Sequence, residues 1–168
     1  GNTVFDYLER LLPALKTLEP AYDPLLGYSS MNLTKIESSE PGSNVIPASL
    51  TLYCDYRQVG EDTTERVTEK VQQILDTIQI EGIHASLSIL ELPVQTYTGF
   101  QGTSIQGEPP FSSDANAPYL RRAKAAIESA VGHAVRIKSW PFATDAGHYT
   151  AAGVKVLGYS PAEFDCCH

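Results

Sequence analysis

The chain reads as an α+β protein in two parts, and three observations predict it. An apolar stripe at helical spacing fills the first twenty residues. The stretch "NVIPASLTLYCDYRQ" alternates with the period of two that marks a half-buried strand. Finally, "TGFQGTSIQGEPPFSSDANAP", rich in Gly, Pro, Ser and Gln, separates what precedes it from a second run of alternating elements. The expected division is residues 1–95 and residues 96–168.

In "GNTVFDYLERLLPALKTLEP", Val4, Leu8, Leu11, Leu12, Leu15 and Leu18 share one helical face, with Thr3 as N-cap and Pro20 as stop. Pro13 lies inside and should bend the helix, because it removes a backbone donor. "SMNLTKIES" is the next expected strand. In the strand after it, Ala48, Leu50, Leu52 and Cys54 fall on one face, and Ser49, Thr51, Tyr53, Asp55 and Arg57 on the other. A second helix is expected over "EDTTERVTEKVQQILDTIQ", opened by Asp62 and Glu65 in the manner of a capping box and striped by Val67, Val71, Ile74 and Ile78. "HASLSILELPV" reads as the strand that closes the unit. The order helix, strand, strand, helix, strand is a ferredoxin-like βαββαβ unit without its first strand. Beyond the loop, "YLRRAKAAIESAVG" reads as a helix, "AVRIKSW" as a short strand, "AGHYTAA" as a small helix and "VKVLGY" as a strand. Together they suit an incomplete α/β piece.

Composition narrows the function. Twelve basic against twenty acidic residues give a net charge of −8, which argues against a surface that tracks nucleic-acid phosphates or anionic lipid. No apolar run approaches a membrane span. Three cysteines, Cys54, Cys166 and Cys167, make no disulfide framework, so a cytoplasmic location is expected.

The chemistry-bearing candidates gather in "SWPFATDAGHYTAAGVKVLGYSP". Thr144 and Asp145 stand before a short helix, where they can cap orphan N–H groups or border a site for a ligand carboxylate or oxyanion. His148 suits packing better than base chemistry. A serine-hydrolase reading through Ser139 or Ser160 lacks a nucleophile-elbow pattern. The terminal "DCCH" lacks the spacing of an independent zinc site.

Two segments carry a family resemblance. "SNVIPASLTLYCDYR" is similar to the Asn-Val-Ile-Pro and Asp-x-Arg pattern in the inserted lid, or dimerisation, domain of the co-catalytic zinc metallopeptidases and amidohydrolases. That group includes acetylornithine deacetylase, succinyl-diaminopimelate desuccinylase, aminoacylase and glutamate-releasing carboxypeptidases. "ATDAGHYTAAGVKVLGYSP" resembles the Thr-Asp-Ala-Gly segment that borders the substrate pocket in the catalytic domain of the same family.

The resemblance implies metal-dependent hydrolysis of amide bonds in N-acyl amino acids or small peptides. Two zinc ions, with cobalt or manganese as alternatives, would polarise the carbonyl, and a glutamate would shuttle the proton. It also implies a homodimer formed through the lid. His168 falls where the family has a metal ligand, and Asn44 falls at the active-site edge of the lid; from spacing alone, Asn44 is a turn cap after Gly42. Thr144 and Asp145 would border the substrate. Arg57 resembles a carboxylate-recognising arginine. At about 3.3 Å per residue, however, a straight strand from Asn44 to Arg57 spans roughly 40 Å, so the two cannot grip one small ligand unless the strand bends or two subunits contribute. Pairing with Asp55 on the same face is the simpler role for Arg57. The family's other metal ligands and its glutamate base precede the lid and are not in this sequence. The chain is therefore expected to correspond to the central and C-terminal part of such an enzyme and to be inactive alone. The rival reading is a non-catalytic dimerisation or binding module.

Overall fold

The computed structural model describes residues 1–60, 62–105, 107–140 and 142–160, and it divides the chain into two compact units, Gly1–Gly107 and Glu108–His168. In the first unit the elements are α1 (Val4–Leu15), β1 (Tyr22–Asp23), β2 (Gly27–Tyr28), β3 (Ser30–Ser38), β4 (Leu50–Arg57), α2 (Thr64–Thr77), β5 (Glu91–Gln95) and β6 (Gln101–Ile105). The second holds α3 (Pro118–Val131) and α4 (Ala146–Ala151). Helices and small antiparallel sheets together make the chain α+β.

Helix α1 starts where the sequence placed its cap. Thr3 is extended, and the Asp6 carboxylate accepts from the Thr3 backbone N–H at 2.6 Å and from its hydroxyl at 2.7 Å. The Thr3 side chain first, then its backbone N–H, holds the Asp6 carboxyl below the usual carboxylate range. The helix ends at Leu15, before the expected stop at Pro20. Pro13 has no N–H to bond back, and beyond it Lys16, Thr17 and Leu18 bond three residues back in a tightened last turn.

Strands β3 and β4 form an antiparallel hairpin whose register shifts between Leu33 and Lys35. This bulge explains the imperfect alternation of "SMNLTKIES". With Thr34 as the extra residue, Leu33 and Ile36 both face the side of Leu52 and Cys54. On the other face Lys35 opposes Tyr53, and Glu37 accepts from the Tyr53 hydroxyl at 2.8 Å while pairing with Lys35. The bulged Thr34 donates its hydroxyl to the Tyr53 carbonyl at 3.1 Å.

The two helices meet each other, and Leu52 of this hairpin packs against the cluster they form. Tyr7 and Leu11 of α1 and Leu75 of α2 form the buried cluster, with Leu15, Leu52, Ile74, Ile78, Ile80 and Ile83 packed against it. Tyr7 is buried in place of the expected Val4 and Leu8 because the face that meets α2 runs Tyr7–Leu11–Leu15 at i, i+4 spacing. Leu75 likewise replaces Val71 at the centre of α2. The cap of α2 is Thr63, whose hydroxyl accepts from the Arg66 N–H at 3.3 Å, so the expected Asp62–Glu65 box is corrected by one residue. Asp62 turns inward instead. It accepts from the Tyr56 hydroxyl and lies 3.4 Å from Lys70 Nζ. The Ser29 and Tyr56 hydroxyls are 2.9 Å apart, and Ser29 also accepts from the Ala21 N–H at 2.8 Å, tying the β1–β2 turn to β4.

Three expected strands differ from the observed structure. "HASLSILELPV" is a strand only over Glu91–Gln95, which pairs with β6, and residues 84–90 make no ladder. "AVRIKSW" and "VKVLGY" form no strand among the described residues, so the expected α/β piece shows helices only. The reason is common to all three: an alternating pattern becomes a strand only where a neighbour accepts its backbone bonds.

In the second unit Gly132 ends α3 in the left-handed conformation at φ 76°, as a C-cap glycine does. Trp140 packs edge-on to Phe142, with ring centroids 4.8 Å apart, and lies against Gly158. Gly147 in α4 approaches Pro109 so closely that a Cβ there would overlap the Pro109 carbonyl.

Two outcomes are expected. Because its folded pKa is depressed, Asp6 contributes stability above its unfolded pKa of about 3.9, and that contribution disappears as pH falls through the lower folded value. An NMR titration of the Asp6 carboxyl should show this depression, and Thr3→Ala should move the midpoint toward the ordinary value; an unchanged midpoint contradicts the cap. Gly147→Ala should cost on the order of 1–3 kcal/mol of overpacking and so lower the unfolding midpoint reported by Trp140 fluorescence. An unchanged midpoint contradicts the close Pro109 contact.

Candidate functional site

The first unit carries Asn44 and Arg57. Asn44 is exposed in the loop between β3 and β4, with its Oδ1 atom turned over Gly42, where an added Cβ would meet it at 3.2 Å. The base of that loop is clamped. Ser39 Oγ accepts from the Ala48 N–H at 3.1 Å and from the Ser49 N–H at 3.2 Å, and the Ser39 N–H donates to the Ser49 carbonyl at 3.1 Å. Pro47 is buried while Val45 and Ile46 stay exposed, so the clamped loop presents "NVI" outward on a fixed stem.

Arg57 lies at the far end of β4, opposite Ser30. Its Nε donates to Asp55 Oδ2 at 2.8 Å on the polar face, with both side chains about half exposed. The hairpin therefore separates Asn44 from Arg57 along its length, and the Arg57 fork already has a carboxylate partner. An exposed pair of this kind is worth little to stability, and its guanidinium remains reachable from solvent.

In the second unit Thr144 and Asp145 come together at the start of α4. Thr144 Oγ1 accepts from the Ala146 N–H at 3.3 Å. The Asp145 carbonyl, rather than its carboxylate, takes the N–H groups of His148 and Tyr149, at 3.1 and 3.3 Å. The exposed Asp145 carboxylate makes no capping bond. Thr144 thus takes the local capping role, and Asp145 is left as an outward carboxylate beside it. His148 Nε2 sits 2.9 Å from Glu108 Oε2, a pairing that packs the helix against the incoming loop when the ring is protonated. His168, Cys166 and Cys167 lie outside the described residues.

The sequence reading missed a polar cluster in the first unit. Beside the Ser29–Tyr56–Asp62–Lys70 chain lies an open cavity of about 710 Å³, walled by Tyr22, Asp23, Arg66 and Gln73. Asp62 is nearly fully buried, and its carboxylate is satisfied by Tyr56 and Lys70. Burial first, and then donation to Asp62, pushes the Tyr56 hydroxyl above its ordinary pKa. The available signal was the four-residue spacing of Asp62, Arg66 and Lys70 at and beyond the start of α2.

Among the described residues no group of three His, Cys, Asp or Glu side chains could hold a metal ion. No helix among them is long and apolar enough to cross a membrane.

No curated protein and no solved structure matches the chain. Residues 5–83 match the family described as the peptidase dimerisation domain, a stretch that holds all of α1 but its first residue, the β1–β2 turn, the β3–β4 hairpin and α2.

Proposed function

We propose that the chain is part of a metal-dependent hydrolase that cleaves the amide bond of N-acyl amino acids or small peptides, with the first unit as its lid and homodimerisation element. The observation that carries this reading is the match of residues 5–83 to a peptidase dimerisation domain. The ferredoxin-like topology and the role of "ATDAGHY" as a pocket border belong to the same proposal.

The described residues do not fit a metal centre, since no three ligand-type side chains converge. In this reading the remaining ligands and the glutamate base come from outside these residues, and His168 supplies one ligand. This chain contributes positioning. The Asn44 carboxamide, held out on its clamped loop, donates to the substrate carbonyl as it gains negative charge. The Thr144–Asp145 corner orients the polar end of the substrate, and Arg57 is available to a carboxylate only if it leaves Asp55. The rival reading, a dimerisation or binding module without catalysis, draws on the same match, because a dimerisation domain is not itself a catalytic one.

Two experiments separate these readings. In the complete enzyme Asn44→Ala should lower kcat by about 100-fold, the scale of one oxyanion donor, while metal content stays constant. Unchanged kinetics would return Asn44 to a turn-capping role. The 168-residue chain alone should neither retain stoichiometric zinc after dialysis nor hydrolyse N-acyl amino acids. Tight zinc binding abolished by His168→Ala would overturn the division of labour proposed here.

A further inference from the structure

The cavity beside Asp62 has the size of a small-molecule site and takes no part in the hydrolase reading. At about 710 Å³ it falls within the usual range for such pockets, about 300–1,000 Å³. Three pieces of the first unit wall it: the β1–β2 turn with Tyr22 and Asp23, the link into α2 with Gly60 and Asp62, and the α2 face with Arg66, Glu69 and Lys70. Each wall is fixed by bonds of its own. Asp23 Oδ1 accepts from the N–H groups of Leu25 and Leu26, at 2.8 and 2.9 Å, which holds the carboxylate in place within its turn. Gly60 stands beside Asp23 Oδ2 with φ 58°, a conformation that suits glycine, and an added Cβ would lie 3.4 Å from that oxygen. The α2 wall is tied to β4 through Asp62, which accepts from Tyr56 and meets Lys70.

Three groups on these walls keep bonding capacity to spare. Neither Asp23 Oδ2 nor the Glu69 carboxylate has a hydrogen-bond or ion-pair partner among the described residues. Lys70 Nζ has three donors and uses one, at 3.4 Å, on Asp62, and its side chain is 42% exposed. Arg66 adds a second positive charge to the same wall. The Tyr22 ring, 60% exposed and braced by Tyr28 with centroids 4.8 Å apart, supplies the apolar surface. The signs of these groups select the ligand. A pure anion would meet Asp23, Asp62 and Glu69, a pure cation would meet Arg66 and Lys70, and an uncharged apolar molecule would strip water from all of them. A zwitterion offers each group its opposite.

We propose that this cavity binds a free α-amino acid with an aromatic side chain. The ammonium group of the ligand donates to Asp23 Oδ2 and Glu69, its carboxylate accepts from Lys70, and its ring lies on Tyr22. The site concerns the first unit alone and does not rest on the hydrolase reading.

The test follows amide NMR spectra of the 168-residue chain with L-phenylalanine as the probe. Two controls each lack one charge: N-acetyl-L-phenylalanine has no ammonium group, and L-phenylalanine amide has no carboxylate. L-phenylalanine should shift the amide signals of Tyr22, Asp23, Gly60 and residues 66–73. Each control should bind about tenfold more weakly or worse, the scale of one lost charge-assisted hydrogen bond. Asp23→Asn keeps the Oδ1 acceptor of the turn and removes the charge, and Glu69→Gln alters an exposed position of α2. Each substitution should weaken binding by about tenfold as well. No shift at millimolar ligand, equal binding by either control, shifts centred on other residues, or unchanged binding in either variant would overturn the proposal.

Discussion

Everything placed in the first unit depends on one apolar contact, the meeting of Tyr7 and Leu11 on α1 with Leu75 on α2 over Leu52 of the hairpin. A two-stranded hairpin is marginal in water, and so is a twelve-residue helix. The two helices bury their apolar faces against each other, and the hairpin joins that cluster through Leu52. The Tyr7 hydroxyl extends the contact by donating to the Leu75 carbonyl at 3.4 Å, which leaves a ring in the core and a polar atom satisfied. Once the helices are seated, the hairpin has an inner and an outer face. The clamped loop with Asn44 then projects from one end of it, and the Asp55–Arg57 pair sits on the outer face at the other.

The polar network around Asp62 is a second constraint, subordinate to the first. A carboxylate this buried is tolerable only with partners, and Tyr56 and Lys70 supply them. Those partners come from β4 and from α2, so the network fixes how the helix start meets the strand end. Ser29 passes the constraint on to the β1–β2 turn through Ala21. Asn44 and Arg57 are thus held by structure built for packing, and neither side chain is itself part of the core.

Much of this was legible in the residues. The alternation of "LTLYCDYR" located β4 and its faces, "SMNLTKIES" gave β3 to the residue, and Thr3 marked the start of α1. The bulge at Thr34 was hidden, because one extra residue looks like a lapse in pattern until the partner register is known. Asp62 read as a cap because Asp before a helix usually is one; only the third dimension reveals Tyr56 opposite it. The strand expected over "HASLSILELPV" formed only from Glu91 onward, and those over "AVRIKSW" and "VKVLGY" did not form, since alternation describes what a segment can bury and says nothing of whether a neighbour is present. At the start of α4 the sequence offered both Thr144 and Asp145 as caps, and the threonine hydroxyl is the one that accepts a backbone N–H. Asn44 and Arg57 occupy opposite ends of the hairpin, as the span along the strand implied.

The contact between α1 and α2 can be tested by a double-mutant cycle on Leu11→Ala and Leu75→Ala, followed by urea unfolding with far-ultraviolet circular dichroism. If the two leucines form the single cluster on which the unit depends, each substitution costs about 2–5 kcal/mol and the pair shows a coupling of about 1 kcal/mol. Strict additivity, within about 0.5 kcal/mol, together with small single effects, would contradict the account.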